Sequence, residues 1–255
     1  MPTERDYTLP PFKNRVSQAA KEASMNIFSK TKTRIQEKKR ELELQSSKKY
    51  FYDYCYSQLA GRKRVLDLGC GVGRFLRSKN DNLIGIDANY GSLREAKIYS
   101  PRLICGDLRQ LPFPDGSFDG INCHHVIEHF NPEGAYQLLL EADRILKEGG
   151  VMVISTPLSW EGFFDDFTHL KPYSPEAIKH YYGERKFQAT KDPIVCVYKE
   201  REIKWRYGKV PLEPFLFPKN SFMNALSLVF FQWLGNRGFG RYVKTGYTMV
   251  LEKIK

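Results

Sequence analysis

The chain has 255 residues, 42% of them apolar, enough for one large domain with appendages. Its net charge of +11 splits into +8 over residues 1–64, −5 over 65–182 and +8 over 183–255, so basic flanks suited to phosphate, anionic lipid or RNA bracket an acidic middle. Five cysteines (55, 70, 105, 123, 196), odd in number and without a C-x-x-C pair, argue against a disulfide framework and for a reduced, cytoplasmic setting.

The first residues, MPTERDYTLPPFKN, lack the apolar run of a secretory signal, and no stretch of eighteen apolar residues predicts a transmembrane segment. From Val16 to about Gln45 the chain is rich in Lys, Glu, Gln and Ala without Pro or Gly, which predicts an exposed helix. Residues 1–49 therefore read as a basic, mainly helical extension and 50–255 as the domain. Aromatics crowd 50–56 (YFYDYCY), in a helix that either folds over a ligand or packs on a sheet. The runs RVLDLG, NLIGID, RLICGD, FDGINC and VMVIST, separated by helical stretches, predict a parallel, doubly wound α/β sheet. Before the last of these, Asn131 suits an N-cap, Pro132 the first helical position, and Leu138, Leu139, Ala142, Ile145 and Leu146 recur at helical spacing up to Gly149 and Gly150. Beyond Pro193 come a strand IVCVYKE, a stretch punctuated by Pro211, Pro214 and Pro218, an apolar segment FMNALSLVFFQWLG and a final strand YTMVLEKI. The segment from Phe222 to Leu234 is too short to span a bilayer; it packs in the core, roofs an acceptor pocket or lies at a membrane surface.

The densest chemical signal is VLDLGCGVGRF at 65–75, an apolar strand running into Gly69, Gly71 and Gly73. Such glycines let backbone approach a ligand at the strand's carboxyl end. A dinucleotide fingerprint needs its third glycine at 74, which is Arg74, and no G-K-[ST] follows to make a phosphate loop. The next two strands end in Asp87 and Asp107, carboxylates suited to the hydroxyls of a ribose and the amino group of an adenine.

In order and spacing, D-x-G-x-G-x-G, I-G-I-D, G-D-L, LPFPDGSFDGINCHHVIEH and LKEGGVMVISTP, over about residues 65–157, resemble the class I S-adenosylmethionine-dependent methyltransferases. The resemblance implies a Rossmann-like, seven-stranded sheet whose last strand is antiparallel, with an N-terminal helical extension and a helical insertion before that strand. It divides the domain into a cofactor half (50–157), acceptor-side loops and cap (158–240) and a last strand (241–255). S-adenosylmethionine would meet Asp67, Gly69, Cys70, Gly71 and Gly73 on its methionine and ribose side, Asp87 with Ala88 at the ribose, Asp107 with Leu108 at the adenine, and His124 near the sulfonium.

Methyl transfer to a hydroxyl needs alignment and a group that removes the proton, for which histidine is suited near neutral pH. The segment DDFTHLKPYSPEAI resembles the D-x-T-H-x-x-x-Y-S stretch of methyltransferases that modify sugars in surface polysaccharides, which makes His169 the leading base, oriented by Asp165 or Asp166. In HHVIEHF, a helical turn over 125–129 would bring His125, Glu128 and His129 to one face, as a further base (His129) or, with His169, as ligands of a divalent metal. That segment is similar to the E-x-x-E-H of metal-dependent O-methyltransferases of ubiquinone biosynthesis and of small-RNA 3′ ends, with His125 in place of the first glutamate. The acceptor expected is a hydroxyl of a glycan or another small, lipid-linked or soluble molecule. RNA is the alternative, on the basic flanks and on Trp205, Tyr207, Tyr50 and Tyr52 as stacking platforms. The second alternative is a cofactor-binding protein that does not catalyse.

Overall fold

The computed structural model describes residues 30–78, 82–182, 198–216 and 221–254. The first part of the expected helix (16–29), Pro218 and the residues IVCV of the expected strand lie outside these. Two compact units divide at Leu44 and Gln45. In the first, residues 30–44 form a helix (α1), almost wholly exposed. It carries the ion pairs Lys38–Glu41 (2.7 Å) and Lys39–Glu43 (3.8 Å), each worth only a few tenths of a kcal/mol at about this exposure.

The second unit is built on seven strands: β1 (Val65–Leu68), β2 (Leu83–Asp87), β3 (Leu103–Cys105), β4 (Phe118–His124), β5 (Leu146–Pro157), β6 (Tyr198–Val210) and β7 (Arg241–Lys253). Their order is β3-β2-β1-β4-β5-β7-β6, parallel except for β7, which runs antiparallel to β5 and β6. This is the doubly wound sheet with an antiparallel last strand that the sequence implied. Alternate residues feed opposite layers. Leu66, Leu68, Met152, Ile154, Met249 and Leu251 join the core on one face, and Val65, Val151, Val153 and Val250 that on the other. The first face is covered by α4 (Pro132–Ile145) and α5 (Pro175–Tyr182), the second by α2 (Lys48–Leu59) and α3 (Tyr90–Ala96). Burying each such side chain is worth about 1.5–3 kcal/mol.

The aromatic crowd at 50–56 lies on α2, whose Phe51, Cys55 and Leu59 recur every four residues and are buried. Tyr52 and Tyr56, on the neighbouring stripe, are half-buried. Helix α4 begins as read: the Asn131 side chain accepts from Gly134 N at 2.8 Å, and Pro132 follows. It ends at Ile145, four residues before the glycines expected to stop it, because buried Leu146 is already extended and pairs with Phe118 in the sheet. Gly149, at φ 70°, instead turns the chain inside the early part of β5.

Strands β6 and β7 are thirteen residues each, longer than the runs read from sequence. Gly246 pairs with Pro157, the last residue of β5, while Arg241–Lys244 continue pairing with Tyr207–Val210. The two strands thus form an arm beyond the carboxyl edge of the sheet, and α6 (Ser221–Asn236) belongs to its tip. The chain leaves β1 toward β2 on one side and returns to β4 on the other, so the ligand crevice opens at the carboxyl ends of β1 and β4.

Candidate active site

Gly69, Gly71 and Gly73 all have positive φ (66°, 49° and 79°), the left-handed region that favours glycine. At Gly69 a Cβ would also lie 2.5 Å from Val126 Cγ2, so the turn seats tightly on the segment after β4. The turn is pinned to β2 by Asp87, whose carboxylate accepts from Gly71 N and Asn89 N, both at 2.8 Å.

Two cavities meet at this turn, sharing Gly69 and Gly71. The larger, about 590 Å³, runs past Asp87, Ala88, Asp107, Leu108 and Arg109 to His125, Val126, His129 and Phe130. The smaller, about 220 Å³, is bounded by Asp67, Cys70, Arg74, Asn122, His124 and Tyr52. All the cofactor residues inferred from sequence except Gly73 line one or the other; Gly73 instead packs against Ala96, where a Cβ would stand 3.0 Å away.

Asp67 is buried, with Oδ1 accepting from Asn122 Nδ2 at 2.7 Å. Burial, offset only in part by that bond, pushes its carboxyl up to about 7. Asp107 differs: it is half-exposed, and the Arg109 guanidinium, 2.7 Å away, holds it below the usual carboxylate range. His124 packs against Tyr52 with ring centroids 4.6 Å apart and planes tilted by 35°, and burial drives its imidazole well below its ordinary range. The imidazole is therefore neutral.

His125 corrects an expectation. Residues 125–129 do not make one helical turn: His125 has φ 57°, and only Ile127–His129 form a 3₁₀ turn. Its Nε2 lies 2.6 Å from Arg206 Nη1, and its Nδ1 lies 2.8 Å from Glu128 Oε1. Arginine can only donate, so His125 accepts at Nε2 and donates from Nδ1 to the carboxylate. Both ring nitrogens are committed, which removes His125 as an ion ligand and as a base. Burial, with the charge of Arg206, lowers its imidazole despite the bond to Glu128. Burial is the largest influence on Glu128 and raises it, but the His125 bond, a backbone bond and the neighbouring imidazoles together outweigh burial and keep this fully buried carboxylate below its ordinary range.

The structure gathers Glu128, His129 and His169, with candidate ligand atoms within 4.8 Å of one another. The loop bearing His169 is docked by Leu170 N and Lys171 N, which donate to the Glu128 carbonyl at 2.8 and 3.3 Å. His169 Nδ1 donates to the Phe163 carbonyl at 2.7 Å, and His129 Nδ1 faces the Thr168 carbonyl and hydroxyl at 3.2 and 3.0 Å. Both rings are thereby set in the tautomer that leaves the Nε2 lone pair open, the state required of a base or of a metal ligand.

The group that orients His169 is a backbone carbonyl and not an aspartate. Asp166 approaches Nε2 at 3.7 Å, beyond a hydrogen bond, and spends Oδ1 on Thr168 N and Oγ1, which lowers its carboxyl; Asp165, exposed, ends the 3₁₀ turn Glu161–Asp165. It is His129 that stands on the wall of the larger cavity, with His169 5.0 Å away from it, ring centre to ring centre.

Sequence reading missed Asn122, Arg109 and Arg206. Asn122 sits in FDGINCH, on a buried strand where a polar residue signals a partner. Nothing in IKWRYGK marks Arg206, which reaches His125 across Gly246 from β6 and whose Nε and Nη2 have no partner among the described residues.

A family model described as a methyltransferase domain matches residues 66–154. Over 122 residues the chain is 35% identical to an uncharacterized protein of Methanocaldococcus jannaschii, covering 46% of this chain and 52% of that one. Over 114 residues it is 32% identical to a probable S-adenosylmethionine-dependent methyltransferase of Mycolicibacterium smegmatis, covering 42% and 44%. The chain thus spans about half the length of the curated relatives it matches. A solved S-adenosylmethionine-dependent methyltransferase from Archaeoglobus fulgidus superposes with a TM-score of 0.55 at 22% identity, over 84% of this chain and 97% of that one. The matched segment holds the ends of β1 to β4 that frame both cavities, and the fold is that of S-adenosylmethionine-dependent methyltransferases, with S-adenosylmethionine as the cofactor that domain and fold imply.

Proposed function

We propose that this protein is a methyltransferase that transfers the methyl group of S-adenosylmethionine to a hydroxyl oxygen of a glycan or other small acceptor. The observation that carries this reading is the junction of the two cavities at the glycine turn, with His129 on the wall of the larger and its Nδ1 anchored. Asp67, Tyr52 and Arg74 suit the ammonium and carboxylate of a methionine, Asp87 the ribose hydroxyls, and Leu108 with Asp107 an adenine. When bound, the cofactor supplies an electrophilic methyl on a sulfonium.

The chain's own residues do the rest. Neutral His124 adds no positive charge beside the sulfonium. His129 Nε2 takes the acceptor's hydroxyl proton as the new O–C bond forms and the S–C bond breaks, and His169 stands behind it to share that proton. Glu128, neutral His125 and Arg206 form a part-buried hydrogen-bonded chain, carboxylate to imidazole to guanidinium, that holds the turn bearing His129.

The test offers methyl-labelled S-adenosylmethionine and the purified chain to oligosaccharides, small alcohols and phenols, and RNA. We expect label on a sugar or alcohol hydroxyl, and a fall in kcat of roughly 10²–10⁴ in His129→Ala with cofactor affinity unchanged. Label entering RNA would move the acceptor to nucleic acid. Cofactor binding without transfer to any acceptor would favour a protein that binds but does not catalyse.

A further inference from the structure

Helix α6, SFMNALSLVFFQWLGN, contains no charged residue and is arranged inside out. Its inward stripe carries Met223, Asn224, buried Ser227, Phe231 and Leu234, while Phe222 (75% exposed), Leu226 (54%), Val229 (65%), Phe230 (52%) and Trp233 (47%) face solvent. An ordinary surface helix does the reverse, and contiguous exposed apolar patches mark an interaction site. Phe215, Leu216 and Phe239, flanking the helix, are also exposed, and an apolar notch of about 380 Å³ lies between Phe215 and the helix residues Met223, Leu226 and Phe230.

We infer that α6 is a bilayer-docking element that seats the crevice edge of the sheet on an anionic membrane surface. Residues 209–244 hold five Lys or Arg (209, 219, 237, 241, 244) against the single acid Glu213, so the sequence that carries the apolar face is net positive. An anionic lipid surface complements that charge, whereas a second copy of the chain would bring like charges together. The face is also carried by one helix between β6 and β7, whose exposed Phe222, Leu226, Val229, Phe230 and Trp233 can enter a plane together. Trp233, stacked under Arg237 at 4.4 Å, and Phe222 are side chains that settle at the headgroup boundary. No described helix is long and apolar enough to cross a membrane, and sixteen residues, about 24 Å, suit one that lies in the interface. Because the arm continues past Pro157 at the carboxyl edge, docking through α6 turns the cofactor crevice toward the lipid.

The test is flotation of the full chain with vesicles of phosphatidylcholine alone and of phosphatidylcholine with about a third phosphatidylglycerol. We expect partition onto the anionic vesicles, weakened by salt, and a loss of at least about tenfold in the double variant Val229→Glu, Phe230→Glu, with S-adenosylmethionine affinity and melting temperature unchanged. Arg237→Gln with Arg241→Gln should lose the preference for anionic over neutral vesicles. A folded wild-type chain that floats with neither vesicle would overturn the inference. So would concentration-dependent self-association that the glutamate variant abolishes while vesicles compete for nothing. The readout needs no acceptor, so it stands or falls apart from the methyl-transfer reading.

Discussion

At the scale of single residues, Asp67 has the most measurable consequence. A carboxyl pushed up to about 7 by burial is largely protonated in the free protein under mildly acid conditions. Its raised value has a definite sign: the protonated form stabilises the fold fully below the unfolded value near 3.9, and that contribution is lost as pH rises through about 7. Binding a cationic ammonium beside Asp67 favours the carboxylate, so cofactor binding should release a proton and tighten with pH, by up to about tenfold per unit between pH 5.5 and 7. Calorimetry in buffers of different ionisation enthalpy measures both quantities. Asp67→Asn should flatten the profile; an unchanged slope in that variant would place the titrating group elsewhere.

At the scale of elements, Glu128, His129 and His169 come from a 3₁₀ turn and a loop about forty residues apart, joined by the bonds of Leu170 N and Lys171 N to the Glu128 carbonyl. This group is chemically able to hold a divalent ion, yet the Glu128 oxygens already accept from His125 Nδ1 (2.8 Å) and Thr156 Oγ1 (3.0 Å), and Arg206 lies beyond His125 to balance the charge. We therefore expect protein stripped by a chelator, and shown metal-free by elemental analysis, to keep its turnover. Loss of activity restored by one particular ion would make the three residues its ligands. The strands, the glycine turn and Asp87 were legible because each is a local pattern: an apolar run, a left-handed turn, an acid at a strand's end. The partners of the histidines were not, since they depend on φ at His125, on a carbonyl at Phe163 and on an arginine eighty-one residues away. Spacing alone put His125 in one helical turn with Glu128 and His129; the left-handed His125 breaks that turn, although its ring still reaches Glu128. The end of α4 was misread for a similar reason, because pairing of Leu146 with Phe118 is a tertiary contact that overrides the local stop signal of Gly149 and Gly150.

At the scale of the whole molecule, the unit from Gln45 to Lys255 carries the cavities, and its parts are mechanically linked. Asp87 ties β2 to the glycine turn, Gly69 packs on Val126 after β4, and the backbone of Ser155 in β5 accepts from His125 N at 2.8 Å. A ligand that fills both cavities therefore contacts groups anchored in four adjacent strands and should stabilise the unit as one cooperative block. With cofactor at a hundred times its dissociation constant the gain is about 2.7 kcal/mol, which for a unit of this size raises the melting temperature by about 5–10 °C. Scanning calorimetry or dye-monitored melting with S-adenosylmethionine checks this, and the shift should follow the logarithm of ligand concentration. In Asp87→Ala, Gly71 N and Asn89 N lose their acceptor, so the unliganded midpoint should fall and the ligand-dependent shift should vanish. A full shift surviving in that variant would mean that the ligand is held without the tip of β2, and a wild-type shift below about 1 °C at saturating ligand would mean that the two cavities do not bind it as a unit.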